Sequence, residues 1–257
     1  MPEIDITLAL LALAAFFAGL LDAMVGGGGL IQLPAVLIAY PIESLPILFG
    51  TNKIAGFSGT SVAAWQYLRK VRLNWAIVAF VGALAFLGSW LGANTLSRLD
   101  PRLLKPIVLF LLIGMAVYTA MRKNLGATSQ IPISATKRWL AGGLLGLGIG
   151  FYDGFFGPGT GSFLVMGFVV FLGEDFLTAS AYAKVVNMLT NIGALFVFIG
   201  NGQFLLEAAV VLAAFNVLGS LVGSKLAIRK GNSFVRKVFL VVVSLMIVRY
   251  GWELIQP

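Results

Sequence analysis

"GLLDAMVGGGGLIQLP", residues 19–34, sets one carboxylate and four consecutive glycines inside an apolar run. In a soluble chain four glycines would read as a flexible linker, because glycine costs backbone entropy wherever it must be ordered. The flanking residues point elsewhere. Residues 5 to 40 drawn as one helix would extend about 54 Å at ~1.5 Å per residue, far more than a hydrocarbon core of ~30 Å requires. The element therefore tilts steeply, breaks or turns back, and the glycines supply the break, with Pro34 a few residues beyond.

Composition places the break inside a membrane protein. The 257 residues are 59% hydrophobic and 11% charged, where a soluble domain carries roughly a quarter charged residues. Apolar runs at 6–21, 75–97, 103–121, 139–151, 204–224 and 238–248, with weaker ones at 44–66 and 176–199, fill nearly the whole chain. They leave no room for a soluble catalytic domain. Glu3 and Asp5 stand where a secretory signal would be basic, so the first run is expected to remain as a helix. The chain has no cysteine and no histidine, which removes disulfides, thiol chemistry, haem and iron–sulfur ligation and most zinc sites. No P-loop, dinucleotide fingerprint or metal-spaced carboxylate set occurs, so no cofactor, bound metal or ATP-driven step is expected, and no enzyme activity. The net charge of +8 comes from lysines and arginines between the apolar runs, where membrane topology puts them. They face anionic lipid headgroups rather than nucleic acid.

The chain repeats itself at a fixed offset. Asp153 follows Asp22 by 131 positions, and the same step takes Gly19 to Gly150, Gly26 to Gly157, Gly28 to Gly159, Lys53 to Lys184 and Arg98 to Arg229. "GSWLGANTLSR" lies over "GSLVGSKLAIR". Glycine matches between two glycine-rich halves are cheap, whereas paired aspartates and lysines in apolar surroundings are not. The units run over 5–121 and 136–252, joined by a polar connection at 122–135. In the second unit "GFYDGFFGPGTGSF", residues 150–163, repeats the break, with Pro158 inside it.

The number of crossings per unit sets the symmetry. If the opening element crosses once, the halves are parallel and the basic clusters split evenly between the two sides. If it returns on itself, the halves are inverted. Arg69, Lys70, Arg72, Arg122, Lys123, Lys137, Arg138, Arg229, Lys230, Arg236 and Lys237 then share one face against Arg98, Arg102 and Lys105 on the other. That asymmetry is what the positive-inside rule asks for. The preferred architecture is an all-α polytopic membrane protein of two inverted halves with broken opening helices, about 8 to 10 membrane segments in all.

Irregular backbone at membrane depth is tolerated only where protein or a cavity satisfies it, and paired breaks in two halves point to a transport site. Gly26, Gly27, Gly28 and Gly29, with Gly157, Gly159, Thr160 and Gly161, could aim backbone N–H groups at one small anion. Close helix packing is the alternative. Lys53 and Lys184 could supply positive potential or exchange a proton, or could snorkel to the interface. Asn52, Asn187 and Asn191, with Thr51, Ser58, Thr60 and Thr190, offer neutral donors, or serve as glue between helices. Asp22 and Asp153 could couple anion movement to protons, pair with Lys53 or Lys184, or accept N–H bonds at a helix end, the last being favoured. An aspartyl protease dyad is a remote alternative, because neither residue has the surroundings of such a pair. Gly88, Ser89 and Gly92, with Gly219, Ser220 and Gly223, read as tight helix crossings, and Trp65, Trp75, Trp139 and Trp252 as interfacial anchors. Lys225 is read as snorkelling.

The pairing of "GLLDAMVGGGGLIQLPAVL" and "GTNKIAGFSGT" with "GFYDGFFGPGTGSFLV" and "AYAKVVNMLTNIGAL" resembles the TauE/SafE family of membrane permeases, over nearly the whole chain. The resemblance implies a multi-pass permease of the bacterial inner membrane moving small anions, with sulfite and organosulfur compounds among the candidates. It puts the family's motif glycines on Gly26, Gly27, Gly28, Gly157, Gly159 and Gly161, and its lysines on Lys53 and Lys184. One departure is that Pro158 aligns with Gly27, so the two breaks need not share a shape. A secondary permease with alternating access is the leading reading, against an anion channel or a structural membrane subunit. Membrane lipids and a small anion are the expected partners, and homo-oligomerisation is left open.

Overall fold

A computed structural model describes residues 6–98 and 135–255. Among them are eight helices: α1 (Ile6–Val25), α2 (Gly29–Ala39), α3 (Leu45–Leu68), α4 (Trp75–Arg98), α5 (Ala135–Phe155), α6 (Thr160–Leu172), α7 (Phe176–Gly200) and α8 (Leu206–Ile255). The starts of α6, α7 and α8 follow those of α2, α3 and α4 by the same 131 positions that relate Asp22 to Asp153. The run at 103–121 and the connection at 122–134 lie outside the described residues.

Four helices, Ile6–Val25, Trp75–Arg98, Phe176–Gly200 and Leu206–Gly231, are long and apolar enough to cross a membrane. Helix α3 is as long as α4, but Thr51, Asn52, Lys53, Ser58, Thr60 and Ser61 lower its hydropathy. Several of these polar groups are buried rather than facing lipid. Exposed large apolar side chains such as Leu13, Leu144, Phe196 and Leu218 form the outer surface, as expected of a surface solvated by acyl chains.

The local signals for helix ends are read as chemistry predicts. Asp175 caps α7 by accepting from the N–H groups of Leu177 and Thr178. The Asn74 side-chain oxygen accepts from Ala76 N–H at 3.1 Å at the start of α4. Helix α8 is broken at Gly231, whose φ of 71° places it in the left-handed region.

Each opening element doubles back at its glycine break. Gly28 lies so close to α1 that a Cβ there would stand 2.5 Å from the Ala18 carbonyl oxygen. Farther along α2, Val36 packs in one cluster with Leu11 and Ala15. Helix α2 therefore runs back along α1 as an antiparallel hairpin. In the second half Gly167 of α6 lies against the Leu145 side chain of α5, which describes the same fold-back.

The halves embrace through their glycine-marked helices. A Cβ at Gly88 or Gly92 of α4 would stand 2.4 or 2.1 Å from the carbonyl oxygens of Leu147 and Phe151 in α5. At the related positions, Gly219 and Gly223 of α8 approach the Phe16 and Leu20 carbonyl oxygens of α1 to 1.9 and 2.2 Å on the same measure. Any side chain would push these backbones apart, so the small-residue reading of both motifs holds. The fourth helix of each half thus packs on the opening helix of the other. Trp65, Trp75 and Trp139 are exposed on the outer surface, as expected of anchors; the Trp252 side chain lies outside the described residues.

Candidate functional site

The two breaks meet at the centre of the molecule. Gly26 has φ of 83° and its repeat partner Gly157 has φ of 93°, so both chains turn through a conformation that favours glycine. Gly26 and Gly161 are in backbone contact, and a Cβ on Gly26 would overlap Gly161 at 2.1 Å. The Ser162 N–H donates to the Gly26 carbonyl at 2.8 Å, and the Ser162 hydroxyl donates to the Val25 carbonyl at 3.0 Å. The breaks differ in one detail. Gly28 is right-handed at φ −59°, whereas Gly159 is left-handed at φ 82°. Pro158 stands between the two second-half glycines and has no counterpart in the first half, as the aligned sequences suggest.

A polar cavity of about 50 Å³ lies where the breaks meet. That is space for a few water molecules or one small oxyanion. Of the sequence candidates, Asp22, Gly26, Gly28, Gly29, Asn52, Lys53, Thr60, Asp153, Gly157, Gly159, Thr160, Gly161, Asn187 and Asn191 line it. Gly27 and Lys184 do not. Gly28, Gly29 and Gly161 open their helices, so their N–H groups have no intrahelical acceptor. Thr160 is turned to its own break, its hydroxyl donating to the Gly157 carbonyl at 2.7 Å.

The charges pair crosswise between the halves. Lys53 Nζ lies 2.7 Å from Asp153 Oδ2, and Lys184 Nζ lies 2.8 Å from Asp22 Oδ2. Since Lys184 and Asp153 are the repeat partners of Lys53 and Asp22, one interaction has been built twice. Snorkelling does not apply to either lysine: Lys53 and Lys184 side chains are 4% and 0% exposed. The local N–H role favoured for the aspartates is replaced by these ion pairs. Asp22 lies in the last turn of α1, where every N–H is already bonded within the helix and the carbonyl end of the dipole disfavours a carboxylate. A cation from the opposite half offsets that cost.

The two pairs are not equivalent. Asp22 Oδ2 also accepts from the Thr60 hydroxyl at 3.2 Å, and its side chain is 16% exposed while its lysine is sealed. Lys53 reaches the cavity wall, with the Gly157 backbone so near that a Cβ there would stand 3.2 Å from Nζ. Asn187 and Asn191 are joined by a bond from the Asn191 amide to the Asn187 side-chain oxygen at 3.0 Å. Asn52 leaves its side-chain oxygen shielded and without a partner. Thr51, Ser58 and Thr190 turn their hydroxyls onto helix carbonyls and are packing groups.

Two further polar residues line the cavity that the repeat reading does not reach, Gln32 and Asn216. The Asn216 amide donates to the Gln32 side-chain oxygen at 2.6 Å, and Gln32 is buried in the first turn of α2. Their repeat positions hold Phe163 and Ala85, so the offset search passes over them. Their signal was a lone amide in each of two apolar runs. No group of three or more aspartates and glutamates among the described residues could hold a metal ion.

The model of the sulfite exporter TauE/SafE family matches residues 11–250. The chain belongs to that family. Among its relatives are a probable membrane transporter protein, ORF9, of Sinorhizobium, 38% identical over 93% of this chain and 89% of its own length, and a probable membrane transporter protein of Haemophilus influenzae, 33% identical over 96% and 95%. The probable membrane transporter protein YfcA of Escherichia coli is 31% identical over 93% and 87%. No solved structure matches. As a TauE/SafE protein the chain is a multi-pass membrane transporter of the bacterial inner membrane and not an enzyme.

Proposed function

We propose that this TauE/SafE protein is a secondary permease that carries one small anion at a time through the cavity between its two breaks, by alternating access of the halves. Sulfite, the cargo in the family's description, and other small sulfur oxyanions fit the size and the donor set. The observation that carries the reading is the crosswise pairing of Lys53 with Asp153 and Lys184 with Asp22 around that cavity.

The halves are proposed to be units 5–121 and 136–252, each with five membrane segments, in inverted orientation. Support comes from the fold-back of α1 onto α2, which returns the chain to its starting side and leaves an odd number of further crossings. In this arrangement the pseudo-twofold axis exchanges one crosswise ion pair with the other, so the two flank it. Moving one half against the other must stretch one pair or both.

Two lysines and two aspartates balance one another's charge at the site. Adding a monoanion there would leave a net charge in a low-dielectric cavity, which is costly unless a cation is freed or a proton is taken up. Asp153 taking a proton releases Lys53, whose ammonium then turns from the carboxyl to the anion. Asn187, Asn191 and the N–H groups of Gly28, Gly29 and Gly161 complete the donor set. Anion and proton thus move together.

Purified protein in liposomes tests this, with sulfite, thiosulfate and a sulfonate each offered under imposed pH and voltage gradients. Saturable flux driven by the pH gradient and unaffected by voltage is expected for a monoanion. Voltage-driven, non-saturating flux without a proton requirement would make the protein a channel.

A further inference from the structure

A second and larger cleft, of about 740 Å³, opens where the C-terminal end of α3 meets α8. Leu221 and Ile228 give it an apolar floor, and Trp65 stands exposed at its side. Cations ring it, among them Arg69, Lys225 and Arg229, all exposed, and none of these is in an ion pair with any carboxylate among the described residues. The Arg69 guanidinium lies 4.9 Å from the centre of the Trp65 ring, which holds both at the edge of the cleft. Gln66 lines the same cleft, is 8% exposed, and leaves its side-chain amide nitrogen without a partner. A buried donor with nothing to donate to is costly, and a ligand oxygen would remove the cost.

The repeat supplies a control within the molecule. At the positions related to Arg69, Gln66 and Lys225 the chain carries Gly200, Val197 and Asn94, while Arg229 keeps a charged counterpart in Arg98. The helices cross the same way at both places, so packing alone demands neither the Arg69 and Lys225 cations nor the Gln66 amide. Charge has been placed at one end of the bundle, beside the basic clusters that topology assigns to the cytoplasmic face.

We infer that this cleft is a binding site for an anionic phospholipid. The lipid phosphate sits among Arg69, Lys225 and Arg229, a headgroup or ester oxygen accepts from the Gln66 amide, and an acyl chain lies along Leu221 and Ile228. A cluster of cations over an apolar floor suits a charged headgroup attached to a hydrocarbon chain, and a free phosphate would leave the floor uncovered. The site is separate from the central cavity and stands whether or not the permease reading does.

The test uses the full chain, stripped of lipid in detergent and then offered phosphatidylglycerol, phosphatidylcholine or sn-glycerol 3-phosphate, with binding read by native mass spectrometry and by the melting temperature. Phosphatidylglycerol is expected to bind and to raise the melting temperature, with little effect from the other two. Arg69→Gln, Lys225→Gln and Arg229→Gln should each weaken it roughly fivefold, the worth of one basic residue at an anionic surface. Lys137→Gln, outside the cleft, should leave it unchanged, and Gln66→Leu should weaken it without altering net charge. Equal binding of phosphatidylcholine, equal binding of the free headgroup, unaltered binding by the triple Gln variant, or no lipid retained at all would each overturn the assignment.

Discussion

Lys53 and Asp153 meet at 2.7 Å across the boundary between the two halves, and their repeat partners Lys184 and Asp22 meet at 2.8 Å with the donor and acceptor halves exchanged. Deleting one member strands a charge away from water, which costs about 3–5 kcal/mol, whereas deleting both removes the problem with the charge. Lys53→Met alone should therefore lower the melting temperature in detergent sharply, and Lys53→Met/Asp153→Asn should recover most of the loss. The same cycle applies to Lys184→Met and Asp22→Asn. A double variant as unstable as the single would mean that the pair does not form.

Function should separate the two pairs where stability does not. Lys53 lines the cavity and Lys184 does not. With both double variants folded, Lys53→Met/Asp153→Asn should lose about 100-fold of its anion flux, the equivalent of one charge-assisted hydrogen bond of ~2–3 kcal/mol. Lys184→Met/Asp22→Asn should lose much less. Equal losses in reconstituted vesicles would make the second pair part of the transport step.

The glycine breaks are testable by one methyl group. Gly26→Ala places a side chain at φ 83° and against the Gly161 backbone, and should cost more than about 2 kcal/mol from left-handed strain and forced displacement together. Gly148→Ala is the control. Its Cβ would meet nothing within 4 Å, so the change should be neutral or stabilise by up to ~1 kcal/mol through helix propensity. Comparable unfolding of the two variants would remove the close approach from the argument.

Much of this was legible in the sequence, and the limits have physical causes. The 131-residue offset located both breaks, both aspartates and both lysines, because a duplicated interaction leaves its polar residues in register. What the offset could not say is which aspartate pairs with which lysine: distance along the chain gives no hint that the partners come from opposite halves. Capping logic pointed to a local role for Asp22, and failed because the residue lies at the end of α1 rather than the start of α2. Gln32 and Asn216 escaped because they break the repeat, and a lone amide in an apolar run is as often glue as ligand.

A peripheral ion pair should show the opposite pH behaviour from ordinary acid unfolding. Arg138 pairs with Glu174 in the connection between α6 and α7. Burial pushes the Glu174 carboxyl above its ordinary range, Arg138 pulls it back in part, and Asp175 adds to the rise. The folded state thus holds this proton more tightly than the unfolded one, so its contribution is present on the acid side and is lost as pH rises through the raised value. Glu174→Gln should flatten that dependence and cost little at neutral pH, whereas Arg138→Met, which strands the carboxylate, should cost about 1–3 kcal/mol. Thermal melts of the three proteins across the acid range decide it; a Glu174→Gln variant that is much weaker than Arg138→Met at neutral pH would contradict the sign.

The inverted arrangement makes a sharper claim than any single contact. Lys70 and Asn201 are repeat partners, both exposed, at the ends of α3 and α7. If the halves were parallel, the two would emerge on the same side of the membrane. If each opening hairpin returns to its starting side, α3 and α7 cross in opposite directions and the two residues emerge on opposite sides. The chain has no native cysteine, so Lys70→Cys and Asn201→Cys each carry a single reporter. A membrane-impermeant maleimide applied to intact cells should label Asn201→Cys and spare Lys70→Cys until the membrane is opened, since the basic clusters assign the Lys70 side to the cytoplasm. Labelling of both from outside, or of neither, would return the halves to a parallel arrangement, and the two crosswise ion pairs would then be exchanged by an axis along the membrane normal rather than in its plane.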